Sequence, residues 1–166
     1  MKKVLLLTAF SAISFLGFSQ DKQASSNPLS FSGGLELAMP MGDMATGYSF
    51  GIGASLQMDY NVASKTDLTV NAGYMSFSGK DGAGSQGMIP VLAGVKYGFT
   101  DNVYGSMQLG MLNVQGTDGA PSTSAFAFAP GVGYKVNKMD FQLRYSSASK
   151  DGFTFSWLGL RAAYSF

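Results

Sequence analysis

The chain has no cysteine and no histidine. Without cysteine there is no disulfide, no thiolate metal site, and no residue to carry a lipid anchor after a leader. Without histidine the commonest general base is missing, and neither a Ser–His–acid arrangement nor an imidazole metal site can form. Carboxylates alone remain for acid–base chemistry, and Glu36 and Asp59 read better as structural groups. No cofactor is implied. Charge is also scarce: 11 Lys and Arg stand against 10 Asp and Glu, for a net charge of +1. With no basic stripe, nothing gathers nucleic acid. Beyond the first residues no apolar run approaches the about 18 residues of a membrane helix. What is plentiful is glycine, at 22 residues, which argues against long helices. A chain of this kind that spans a membrane must do so with strands.

The N-terminus reads as a secretory leader over residues 1–19. Lys2 and Lys3 form a basic start, and Val4 to Phe18 form a short apolar stretch. Gly17 and Ser19 place small residues before the expected cleavage site, with Gln20 next. Residues 20–28 are polar and aperiodic, and read as a short periplasmic tail. The remainder, 29–166, fits one domain.

Strict alternation governs that domain. From Tyr48 to Tyr60 every even residue is apolar and every odd residue is small or polar, the period of a strand with two unlike faces. Seven further segments behave similarly. The expected strands are Leu29–Met41, Gly47–Tyr60, Asp67–Phe77, Met88–Phe99, Val103–Val114, Ala125–Val136, Asp140–Ser147 and Phe153–Phe166. Their lengths suit a tilted strand crossing a bilayer, and their number is even, as bacterial barrels require. Met75 and Phe77 break the pattern of the third strand near its tip. Pro90 and Pro130 fall inside strands and lack a ladder donor, so bulges or strand starts are expected there.

Connectors alternate in character. Short polar turns are expected at 61–66, 100–102 and 137–139. Longer loops, rich in Gly, Ser and Asp, are expected at 79–87 and 116–124, with short outer loops at 42–46 and 148–152. That asymmetry is the one between the periplasmic and outer sides of a barrel. Tyr60, Tyr97, Phe99, Tyr134, Phe141, Tyr164 and Phe166 fall at one set of strand ends, and Tyr48, Phe126, Phe128 and Tyr145 toward the other. Two aromatic girdles are expected at headgroup level.

The strand Ile89-Pro90-Val91-Leu92-Ala93-Gly94-Val95-Lys96-Tyr97-Gly98-Phe99, the closing strand Leu158-Gly159-Leu160-Arg161-Ala162-Ala163-Tyr164-Ser165-Phe166 and its terminal Phe resemble the small outer-membrane β-barrel family of the OmpA and OmpX kind. The resemblance covers the whole mature chain, and the leader is among the features that carry it. It implies an all-β, eight-stranded antiparallel up-and-down transmembrane barrel in the outer membrane with both termini periplasmic. It also implies that Leu160, Tyr164 and Phe166 form the signal read by the barrel-insertion machinery; the periplasmic peptidoglycan-binding domain of OmpA is not expected, since no residue follows Phe166. Its partners are then outer-membrane lipid and lipopolysaccharide.

The inward set is mostly Gly and Ala, with Glu36, Asp59, Lys96, Lys135, Asp140, Arg144 and Arg161 interspersed. An eight-stranded barrel is only wide enough for side chains to fill it, and buried charges there must pair. Glu36 and Arg161, on the first and last strands, lie at similar height. They are expected to pair, with Arg144 and Lys96 in the same network. The same charges could instead line a narrow pore for small solutes or ions. A soluble lipocalin-like carrier is a third reading, but it would turn its apolar residues inward.

Two weaker signals complete the reading. Gly51-Ile52-Gly53 and Gly131-Val132-Gly133 lack the strand-to-helix setting that gives such glycines a phosphate to hold. Lys80-Asp81-Gly82 recurs as Lys150-Asp151-Gly152, which is ordinary turn chemistry. With Asp118, these loop residues are the candidate contacts for a surface partner, and Asp43, Asp81, Asp118 and Asp151 read as solvated loop acids ahead of a site for a divalent cation bridging lipopolysaccharide.

Overall fold

A computed structural model describes residues 28–82, 84–116, 121–150 and 152–166. The expected leader, nearly all of the expected tail, and the loop residues Asp118 and Asp151 lie outside the described residues. Eight strands follow in order: β1 (Leu29–Met41), β2 (Tyr48–Ala63), β3 (Thr66–Gly79), β4 (Ser85–Gly98), β5 (Val103–Val114), β6 (Thr123–Val136), β7 (Met139–Lys150) and β8 (Phe153–Ser165). A single helical turn, α1 (Met44–Gly47), joins β1 to β2. Each strand pairs antiparallel with its successor, and β1 pairs with β8, so the sheet closes into a barrel with no free edge. Because the strand number is even, the chain enters β1 and leaves β8 at the same end, here the terminal end. The opposite end is distal. Phe166 N–H donates to the Phe31 carbonyl at 3.0 Å and ties the C-terminus to β1.

The alternation places apolar chains outside. Leu35 is 72% exposed and Met39 67%, and Ile52, Val91, Leu109, Val132 and Leu160 continue the band around the barrel. A soluble monomer does not expose a continuous apolar belt of this extent. The opposite parity gives a buried interior. Edge contacts join Tyr97 to Phe99 and Tyr164 to Phe166 at the terminal end, and Phe128 meets Tyr145 nearer the distal end.

Three local expectations are corrected. Tyr48 does not join the outer girdle. The register with β3 shifts between Tyr48 and Phe50, which turns Tyr48 toward the interior, where its ring meets Phe77 edge-on at 6.4 Å. A second shift lies between Asn61 and Ala63. Neither proline carries a bulge. The β3–β4 register is the same on both sides of Pro90, from Ala72↔Val91 to Met75↔Met88, although the ladder opens between. The β6–β7 register likewise continues past Pro130, from Phe128↔Ser147 to Gly131↔Arg144. Each proline loses hydrogen bonds on one flank only, since a strand residue points both backbone groups to one neighbour. Strands β3 and β4 also run further toward the distal end than their alternation suggests, so the distal loop expected at 79–87 shrinks to residues 80–84.

Candidate functional site

The lumen is where polar chemistry collects. The periodicity of every strand but β6 sends a buried charged or amide residue inward: Glu36 from β1, Gln57 and Asp59 from β2, Asn71 from β3, Lys96 from β4, Gln108 from β5, Asp140, Gln142 and Arg144 from β7, and Arg161 from β8. Nearest the terminal end, Lys96 bridges two carboxylates, donating to Asp59 Oδ2 at 2.9 Å and to Asp140 Oδ2 at 3.2 Å. Tyr104 donates its hydroxyl to Asp140 Oδ1 at 2.7 Å, and its ring lies 4.7 Å from Lys96 Nζ. Gln57 donates to both oxygens of Asp59. Lys96 thus holds together side chains from four strands.

A second network lies further along the axis. Arg144 Nη2 donates to Glu36 Oε2 at 2.8 Å, and Arg144 Nη1 donates to Gln108 Oε1 at 2.9 Å. Arg161 donates from Nε to Ser55 Oγ at 2.9 Å and from Nη2 to Ser32 Oγ at 3.1 Å. These ion-paired side chains are at most 5% exposed, so removing one partner leaves an uncompensated charge.

The expected site residues are therefore brought together, but not in the expected pairs. Glu36 and Arg161 are indeed register partners across the β1–β8 seam. Their side chains nevertheless turn apart, and Glu36 takes Arg144 from the strand beyond. The register partner of Arg144 on β8 is Gly159, so no side chain at that position stands between Arg144 and Glu36. Lys96 belongs to a separate cluster. Lys135 is only half-buried, lies at the rim of the terminal-end mouth, and makes no ion pair among the described residues. Its neighbourhood there is solvated, so burial does not force a partner.

The interior also contains residues that a polar lumen does not suggest. Met75, Phe77, Met88, Leu92, Leu112 and Trp157 all point inward, each at most 3% exposed. Phe77 meets Trp157 edge-on with ring centroids 5.5 Å apart. Opposite Phe77 stands Gly51, where a Cβ would lie 2.5 Å from the ring. Tyr104 likewise rests over Gly133, inside the space a Cβ would need. Inward glycines thus mark where a large neighbour crosses the barrel. Strand parity alone identifies all these residues, since Tyr104 and Leu112 share a face with Gln108, and Trp157 shares one with Arg161.

The loop candidates are not gathered. Lys80 and Asp81 sit on the β3–β4 hairpin and Lys150 on the β7–β8 hairpin, with two strands between them either way around the barrel. Lys80 Nζ is engaged by the Ala45 carbonyl at 2.6 Å. Leu160, Tyr164 and Phe166 share the outward face of β8 and the residue after it, each about half-exposed.

No known family profile matches the sequence, and no curated protein does. Solved structures do. The crystal structure of Ail, the attachment invasion locus protein of Yersinia pestis, matches with a TM-score of 0.63 at 17% identity, covering 83% of this chain and 97% of that one. Neisserial surface protein A matches with a TM-score of 0.58 at 16% identity, covering 87% and 98%. The N-terminal β-barrel domain of Pseudomonas aeruginosa OprF matches with a TM-score of 0.54 at 14% identity, covering 82% and 97%. The fold is that of the small outer-membrane β-barrels. The apolar belt of this chain makes it a membrane-spanning barrel in its own right.

Proposed function

We propose that the protein is a non-enzymatic, integral outer-membrane β-barrel whose lumen is closed by its own side chains, with a structural role in the membrane or a role in presenting its distal loops. One observation carries this reading: the lumen charges are buried and balance in number. Lys96, Arg144 and Arg161 balance Glu36, Asp59 and Asp140, three against three, and all six are at most 5% exposed. Charges that serve a conducting path need water beside them. A soluble carrier is disfavoured by the same distribution, since its apolar residues would face inward. In this reading both termini are periplasmic, the distal end faces outward amid lipid and lipopolysaccharide, and the β8 face of Leu160, Tyr164 and Phe166 guides assembly by the insertion machinery. The absence of histidine and cysteine supports a role without catalysis.

The competing reading is a narrow pore for small solutes or ions, favoured by the polar character of half the lumen. Refolding the mature chain into detergent and recording in a planar bilayer separates the two. A closed lumen gives a folded barrel with no conductance steps. Stable steps that change in size or selectivity with Glu36→Gln would establish the pore.

A further inference from the structure

Along its axis the lumen divides into two halves of opposite character. Charges and amides fill the half toward the terminal end. The distal half is filled by Met75, Phe77, Met88, Leu92, Leu112 and Trp157, packed with the alanines of β6. The polar half is short of partners: Glu36 Oε1, Asn71 Oδ1, Gln142 Oε1 and Arg161 Nη1 are buried without a hydrogen bond. Water entering there would satisfy each of them, and long Arg, Lys and Gln side chains can turn to admit it. In the distal layer only Trp157 Nε1 and the adjacent Ser146 Oγ lack a partner; the rest of its surface is hydrocarbon and ring, and a narrow, mainly apolar constriction excludes ions by dewetting.

We propose that the barrier to ion passage in this barrel is the distal apolar layer centred on Phe77, Trp157, Met75, Met88 and Leu112. The ion-paired network below it is the part of the path that can be hydrated. This inference rests on the closed-lumen reading and locates the closure. It has a corollary for selectivity. The six buried lumen charges cancel, so a path opened through the layer passes cations and anions with little preference.

The test uses the mature chain refolded in detergent, with folding verified by far-UV circular dichroism, and planar-bilayer recording in potassium chloride. The variants that breach the layer are Phe77→Ser, with Met88→Ser and Leu112→Ser as companions should one of them fail to fold. The double variant Glu36→Gln/Arg144→Gln removes the ion pair and keeps the layer. The expected result is a silent wild type, a silent ion-pair variant, and discrete steps from the layer variants with near-equal permeability to both ions. Adding Glu36→Gln to Phe77→Ser leaves a surplus positive charge and shifts that pore toward anions. Folded layer variants that stay silent beside a silent wild type overturn the inference alone, as does an ion-pair variant that conducts with the layer intact. Steps from the wild type overturn both this inference and the closed-lumen reading.

Discussion

Glu36 shows how a narrow barrel chooses partners. Its register neighbour across the seam is Arg161, yet its carboxylate binds Arg144, two strands away, at 2.8 Å. Strand pairing fixes height, but in a filled lumen the side chains reach across toward whatever space the glycines leave. Glu36→Ala is expected to destabilise the barrel by about 3–5 kcal/mol, because Arg144 is left buried and unpaired. Replacing Arg144 by Met as well should recover part of that loss. Urea titration in lipid vesicles measures both, and the double-mutant cycle should give a larger coupling for Glu36 with Arg144 than with Arg161. Glycines supply a second contrast. Gly51→Val drives a side chain into the Phe77 ring and should cost about 1–3 kcal/mol. At Gly159 the nearest atoms to an added Cβ are 3.6 Å away, so Gly159→Ala should leave the unfolding midpoint unchanged in the same titration.

The strands tolerate what their alternation allows and little else. Leu35 lies midway along β1 and is the most exposed of that strand's apolar residues, at 72%. Leu35→Arg puts a charge against lipid near the bilayer centre and should cost about 2–4 kcal/mol. Pro130 interrupts the β6–β7 ladder without shifting it. Pro130→Val can restore a donor there, and should raise stability by about 0.5–1.5 kcal/mol, the net worth of one hydrogen bond. Vesicle unfolding curves test both. At this scale the sequence was highly legible: β1 and β5 have the bounds that alternation predicts, and the other strands differ from it by one to four residues at their ends. The bulge that turns Tyr48 inward was not legible, because one extra residue in a strand leaves no compositional mark. The unbulged prolines were misjudged because a missing donor affects one flank of a strand, not its register.

For the molecule as a whole, two faces of one sheet divide the work. The outer face meets lipid, and the inner face satisfies itself. The charged half of the lumen was legible in the sequence, since Glu36, Asp59, Lys96, Asp140, Arg144 and Arg161 all fall on inward positions. The individual pairs were not, because they depend on side-chain reach across the barrel. The apolar half was hidden by the expectation that a lumen is polar, although the parity of Met75, Phe77, Met88, Leu112 and Trp157 places them inside. Trp157 is the only tryptophan in the chain, and it sits in that layer at 2% exposure. Its fluorescence in lipid vesicles is therefore the most direct test of an inward-facing, closed interior. The expected spectrum is blue-shifted, and neither aqueous iodide nor lipids brominated along their acyl chains should quench it. Quenching by brominated lipid would put Trp157 on the outer face and reverse the assigned parity of β8. A red-shifted emission quenched by iodide would mean a water-filled lumen and contradict the closed barrel.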